Sequence, residues 1–279
     1  IKAIGGGASG TVYKAKHKHM GTQVAVKILA PQLSMQPDLV RRFEREARAA
    51  ALIRHRNVII IHDMGHTEES QPYIVMELLN GFSLAELLEK NGKLAPEDAI
   101  EIVQQLCQGI ARAHGEGLTH RDLKPGNIML VAEETETFTV KIVDFGLAKS
   151  ARQEDGARLT QTGALIGTPS YMSPEQCNAE AIDPRSDIYS IGCILYELLT
   201  GNVPFVSNNL IEIFVKHAQD PPPHLVLDDA TLNPRAVRGL QYCIHKCMEK
   251  QRESRYQSSE LLLKDLTEIR AVLHGELPQ

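Results

Sequence analysis

The apolar pattern of this chain changes period once, near Asn80-Gly81, and that change limits the fold more than any other feature. Before it, short β-branched runs alternate apolar and polar residues at 11–15 and 23–29, with Met20-Gly21-Thr22 as the turn between them. An Ala-, Arg- and Glu-rich stretch following Pro37 predicts one helix over 38–54, and strand character returns at 58–61 and 73–76. From Ser83 onward helical spacing dominates. Pro96 stands at a helix start, and Ile102, Val103, Leu106, Ile110 and Ala113 form one apolar stripe. A hairpin is expected from 127–131 and 138–143 around an acidic turn, then a helix over 186–199 that is apolar on all sides, then helices over 237–248 and 258–273. The sequence has no internal repeats. The fold expected is α+β, with a small strand-rich lobe over 1–79 and a larger, mainly helical lobe over 80–279. At 279 residues the chain is long enough to bury one substantial core or two smaller ones.

Composition removes several classes of function. With 43% hydrophobic and 23% charged residues the chain reads as ordinary globular protein. Its net charge of −5 gives no general attraction for nucleic acid or for an anionic membrane, so neither is an expected partner of this fragment. No apolar run approaches the ~18 residues of a membrane span. The five cysteines show no C-x-x-C spacing and are odd in number, which fits buried thiols in a reducing compartment. Cys243 and Cys247, four apart on an expected helix, are the pair that would otherwise suggest a metal or a disulfide. The chain starts at Ile1, almost on a glycine cluster, and the expectation is a fragment of a longer protein. It is expected to be cytoplasmic, with any membrane anchor lying in the parent outside it.

Four segments carry candidate chemistry. Gly5-Gly6-Gly7-Ala8-Ser9-Gly10-Thr11-Val12 holds a G-x-G-x-x-G-x-V pattern, whose backbone N–H groups can approach phosphate oxygens. Three glycines can equally make a plain turn. A dinucleotide site would need a helix next, but Val12-Tyr13-Lys14-Ala15 continues as strand. Lys27 ends the run Val24-Ala25-Val26-Lys27, one hairpin away from the glycines, which would place it beside those phosphates. Its expected carboxylate partner is Glu46, preferred over Glu44 because Ala47 and Ala50 share the small-residue side of the helix. In His120-Arg121-Asp122-Leu123-Lys124-Pro125-Gly126-Asn127, Asp122 can accept the proton of an attacking hydroxyl, Lys124 can neutralise a moving phosphoryl group, and Asn127 offers Mg²⁺ a hard oxygen. His120 is expected to pack and bond around the loop, not to act as acid or base, and Arg121 to bind a phosphate placed on the chain itself. Asp144, at a strand end before Phe145 and Gly146, suits a metal ligand.

Taken in order, the glycine loop, the strand ending at Lys27, His120 to Asn127, Asp144-Phe145-Gly146 and Ser173-Pro174-Glu175 resemble the signature set of eukaryotic-like (Hanks-type) serine/threonine protein kinases. The resemblance covers essentially the whole chain. It implies a bilobal fold: a small antiparallel sheet with one regulatory helix, above a helical lobe, together one catalytic domain. It implies ATP and Mg²⁺, with Mn²⁺ as a substitute, and protein substrates as partners. Ile4, Gly5, Gly7, Gly10, Val12, Ala25, Met76, Glu77, Leu78 and Met129 would then surround the nucleotide, with Met76 as gatekeeper and the backbones of Glu77 and Leu78 meeting adenine. Lys27 would hold the α/β-phosphates and pair with Glu46; Asp122 would be the base; Asn127 and Asp144 would hold the metal.

Finer points follow from the same likeness. Lys124 and the segment Gly167-Thr168-Pro169-Ser170-Tyr171 resemble the serine/threonine class, and Thr168 resembles the threonine that bonds the catalytic Asp and Lys. Asp187 looks like the buried anchor of the catalytic loop, and Glu175 is expected to pair with Arg255. Gly-Thr-Pro-Ser-Tyr-Met-Ser-Pro-Glu-Gln is most similar to bacterial members, in which the small lobes dimerise, so a homodimer through the small lobe is compatible with this chain. Autophosphorylation at Thr160 and Thr162, read by Arg121 and Lys149, is the expected regulation. The chain departs from the family pattern at Ser173, where Ala is usual, and at Gly126, which withholds support for a substrate Arg.

Overall fold

The computed structural model describes residues 1–7, 9–133, 138–145, 169–227 and 232–276. Strands β1 (Lys2–Gly7), β2 (Gly10–Lys16), β3 (Gln23–Leu29), β4 (Ile61–His66) and β5 (Pro72–Glu77) form one antiparallel sheet in the order β1-β2-β3-β5-β4. Helices α1 (Pro31–Ser34) and α2 (Pro37–Leu52) lie between β3 and β4. Each opens on proline at its first turn, where the missing N–H costs nothing. A second sheet joins β6 (Gly81–Ser83), β7 (Ile128–Ala132) and β8 (Phe138–Ile142). Around it are α3 (Leu84–Asn91), α4 (Pro96–Gly115), α5 (Pro174–Cys177), α6 (Arg185–Thr200), α7 (Leu210–Gln219), α8 (Pro234–Cys247) and α9 (Ser259–Leu273).

The small sheet owes its functional face to register. Val12 lies opposite Lys27, and Lys27 opposite Ile74; Ala25 lies opposite Met76. Because alternate residues of a strand share a face, Val12, Ala25, Lys27 and Met76 all point the same way. Gly10 fixes this register. It adopts φ +150°, and a Cβ there would sit 2.1 Å from the Ile28 carbonyl oxygen. Around Gly5 and Gly7, in contrast, nothing lies within 4 Å of an added Cβ. Gly10→Ala is therefore expected to cost about 1–3 kcal/mol in urea unfolding, and Gly7→Ala to leave stability unchanged; equal midpoints for both variants would contradict this account.

The strand expected over 58–61 starts later, at Ile61. The backbone before it is used elsewhere. Val58 makes a parallel bridge to Ile142, Ile59 N–H donates to Ile142 O (3.0 Å), and Ile142 N–H donates to Asn57 O (2.9 Å). Asn57 Nδ2 adds bonds to Val140 O (2.8 Å) and Gln105 Oε1 (3.0 Å). The segment after α2 is thus tied to the β7–β8 hairpin before it enters the small sheet. Ile53, Val58 and Ile59 are buried along it.

In the larger lobe α4 buries the expected stripe of Ile102, Val103, Leu106, Ile110 and Ala113, packing against α6 and α9. Helix α6 is buried on nearly every side, as its sequence implies. Cys107, Cys193, Cys243 and Cys247 are free and buried in this core, and burial raises the pKa of each thiol. Among the described residues no helix is long and apolar enough to cross a membrane.

Candidate active site

The site is organised by one buried carboxylate. Asp187, in the first turn of α6, accepts the His120 N–H (2.8 Å), the Arg121 N–H (2.9 Å) and the ring of His114 through Nε2 (2.7 Å). Burial on its own would raise this carboxyl; the bond from His114 and the His120 N–H outweigh it and hold the group below its ordinary value. Two successive N–H groups aimed at one carboxylate require a tight backbone, and Arg121 adopts φ 65°. Asp144 also has positive φ, at 57°. Such conformations cost a non-glycine residue of order 1–3 kcal/mol each and persist where the surroundings impose them.

His120 is wholly buried. Its Nδ1 accepts the Asp122 N–H (3.3 Å), and its Nε2 faces the Val143 carbonyl at 3.0 Å. These partners require the neutral ring to carry its proton on Nε2, which donates to Val143. Burial lowers the His120 pKa, which keeps the ring neutral. The ring also packs on Phe145, centroid to centroid 4.8 Å. The structural role read from the sequence is the one it has here: it holds the Asp122 loop against the segment leading to Asp144.

Asp122, Lys124 and Asn127 converge. Asp122 Oδ2 is 3.3 Å from Lys124 Nζ and accepts Asn127 Nδ2 at 3.3 Å, while the same Nδ2 donates to Asp122 O at 2.8 Å. With its NH₂ committed to Asp122, Asn127 keeps its Oδ1 as the atom to offer a ligand. Its backbone carbonyl accepts Val143 N–H (3.0 Å), so Asn127 links the loop to the strand end that carries Asp144.

The expected Lys27–Glu46 pair is not the one formed. Lys27 Nζ is 2.7 Å from Asp144 Oδ1, and Glu46 Oε1 is 3.6 Å from Arg121 Nη1. The reason lies in what separates the sheet from α2. Lys27, Ala50, Ile59, Ile61, Ile74, Met76, Asp144 and the buried ring of Phe145 line a cavity between them. Glu46 is presented instead toward the His120–Asn127 loop, where the left-handed Arg121 meets it.

Ala25, Ile59 and Met76 form a small buried apolar cluster, with Val12, Leu78, Leu79 and Val143 packed against it. Of the residues expected around the nucleotide, Val12, Ala25, Met76 and Leu78 belong to this cluster, and Ile59, Leu79 and Val143, which were not expected there, join them. The apolar run after Glu77 and the valine before Asp144 were the available signals. Met129 is half-buried in β7 opposite Ser83 and is not one of this cluster; Ile4 is exposed on β1. Glu77, at the end of β5, is held by Ile60 and Lys141. Its N–H donates to Ile60 O (3.0 Å), and its Oε1 accepts Ile60 N–H (2.8 Å) and Lys141 Nζ (2.7 Å). Its backbone donor is therefore already used. Lys149, Thr160, Thr162 and Thr168, with Gly146, lie outside the described residues.

Ser173 and α5 sit beside the loop. Glu175 receives a two-pronged bond from Arg255, Nη1 to Oε1 and Nη2 to Oε2, both 2.8 Å, with both side chains buried. This is the pair expected from the sequence.

A family model described as "Protein kinase domain" matches residues 1–266. The serine/threonine-protein kinase PknB of Mycobacterium leprae is 37% identical over 99% of this chain and 43% of its own length. A probable serine/threonine-protein kinase of Streptomyces coelicolor is 38% identical over 98% of this chain and 39% of its own length. Pkn1 of Myxococcus xanthus is 39% identical over 92% of this chain and 36% of its own. The chain thus spans about two fifths of the length of these relatives. Among solved structures, the Mycobacterium tuberculosis PknI kinase domain superposes with a TM-score of 0.73 at 23% identity, covering 96% of this chain and 94% of that one.

Proposed function

We propose that this chain, which belongs to the protein kinase family, transfers the γ-phosphate of ATP to serine and threonine hydroxyls of proteins. The observation that carries the reading is the convergence of Lys124 Nζ and Asn127 Nδ2 on one carboxylate oxygen of Asp122, each at 3.3 Å. Asp122 accepts the proton of the attacking hydroxyl, and Lys124 sits where it can balance charge on the transferring group. The donor set suits Mg²⁺: Asn127 Oδ1 and Asp144 are two hard oxygens, and this ion takes few protein ligands beside phosphate and water. When bound, the ion neutralises charge on the phosphate oxygens. Lys27 and Asp144 neutralise each other in the present arrangement. With nucleotide and ion bound, Lys27 would hold the α/β-phosphates and pair with Glu46, and Asn127 and Asp144 would hold the ion.

Arg121, now within 3.6 Å of Glu46, is the cation that a phosphate on Thr160 or Thr162 would attract, together with Lys149. Thr168 is the hydroxyl we assign to hold Asp122 and Lys124 together. One experiment covers these points. The chain is incubated with labelled ATP, Mg²⁺ and a generic basic protein, and the label is assigned by phosphoamino-acid analysis and peptide mapping. Label is expected on Ser and Thr of the acceptor and on Thr160 or Thr162 of the chain, and chelation of the metal should abolish it. Labelling of tyrosine alone, or label that survives chelation, would refute the reading.

A further inference from the structure

Gln176 follows Glu175 in α5 and is buried at 6% exposure. Its Oε1 accepts the Ser173 N–H (3.0 Å) and faces Ser173 Oγ at 3.3 Å, which closes the helix N-terminus as a capping box. That duty uses the oxygen alone. Its Nε2 reaches out of the helix and donates to the Arg121 carbonyl at 2.7 Å. The two partners fix which way the amide is turned, because one offers a hydrogen and the other a lone pair. Glutamine meets both demands on one planar group; a carboxylate of the same length meets only the first.

The Arg121 carbonyl belongs to the peptide group that leads into Asp122. The N–H at the other end of that peptide is bound by His120 Nδ1 (3.3 Å), and the two N–H groups before it are bound by Asp187 (2.8 and 2.9 Å). With Arg121 at φ 65°, the loop needs such restraints to stay in place. Asp187 and His120 hold its N–H groups, and Gln176 holds its carbonyl. Helix α5 is itself tied to the lobe through Glu175 and Arg255.

We infer that Gln176 is a positioning residue that clamps the Arg121–Asp122 peptide and so sets the aim of the Asp122 carboxylate relative to α5. The inference rests on the reading of Asp122 as the base. Gln176→Glu retains the acceptor that caps α5 and loses the donor to Arg121, and it separates the two duties. Phosphoryl transfer by this variant is expected to fall about 10- to 100-fold, the scale at which misplacement of about 1 Å is felt. The ATP KM should stay within about twofold. Amide hydrogen exchange across 119–124 should quicken by about tenfold while that of α6 stays as in wild type. In an Asp122→Asn background, Gln176→Glu should add less than about a threefold loss, because a residue acting through Asp122 has nothing left to position. Gln176→Met, measured alongside, removes both arms and gives the same kinetic loss with weaker capping; it serves as the readout if Gln176→Glu does not fold. Unchanged exchange across 119–124, or a full additional loss in the Asp122→Asn background, would overturn the clamp. A wild-type chain that transfers no phosphate while the variant still shows faster exchange would defeat the kinase reading and leave the clamp standing.

Discussion

Asp122→Asn should transfer phosphate to a protein hydroxyl about 10³-fold more slowly than the unaltered chain, within the usual range for loss of a general base. That is a barrier about 4 kcal/mol higher. The change is small in shape. Asn127 Nδ2 and Lys124 Nζ both approach Oδ2, and a carboxamide oxygen can still accept from one of them. The loop itself is held by Asp187, His120 and Gln176 through backbone atoms, and none of those contacts involves the Asp122 side chain. What the variant lacks is a group that can take a proton, so the loss should appear in kcat with ATP affinity within about twofold. Steady-state rates with a basic protein acceptor and an independent ATP titration check this. A variant within tenfold of the unaltered rate would remove Asp122 from the proton transfer.

Much of this arrangement was readable beforehand, and the parts that were not share a cause. The apolar periods located β2, β3, β5, the β7–β8 hairpin and the helices α2, α4, α6, α8 and α9, because burial on one face writes itself into spacing; β1, β6 and α7 were not read from it. The strand over 58–61 was misplaced because Val58 and Ile59 are as apolar as any strand residue; their partner is Ile142, far along the chain, and local pattern carries no record of a partner. The same applies to Lys27. Its place in the register was legible, but the choice between Glu46 and Asp144 depends on how α2 sits over Phe145, a matter of tertiary packing. The capping half of Gln176 could be read from Ser173-Pro174-Glu175-Gln176, an S-x-x-Q signature. Its bond to Arg121 could not, since that carbonyl turns toward α5 only because Arg121 is left-handed. Asp187 and Arg255 were legible through family resemblance alone; nothing in their local spacing marks either as buried.

Arg255→Met should destabilise the fold by about 3–5 kcal/mol, the cost of leaving one member of a buried pair without its partner. The guanidinium does more than neutralise Glu175. Its Nε donates to Glu249 O (2.7 Å), and its Nη atoms reach Arg185 O and Lys250 O, both at 3.1 Å. It also lies over the Tyr189 ring at 5.0 Å. In the variant those carbonyls lose a donor, and Glu175 keeps the Ser186 hydroxyl at 2.5 Å and its own backbone N–H. The double variant Glu175→Gln, Arg255→Met removes the stranded charge but not the stranded carbonyls, so it should recover part of the loss and not all of it. The pH dependence separates the two contributions. Burial works to raise the Glu175 carboxyl, but the Arg255 bonds outweigh it and hold the folded-state pKa below the ordinary 4.5. A depressed carboxylate stabilises the fold above its unfolded pKa and loses that contribution as pH falls through the folded value. In Arg255→Met the sign reverses: burial without the cation raises the group, and protonation relieves it. The gap in urea midpoint between the unaltered chain and Arg255→Met should therefore narrow from pH 7 toward pH 4.5 and below. A gap that stays constant over that range would mean that the carbonyls, and not the buried charge, account for the loss.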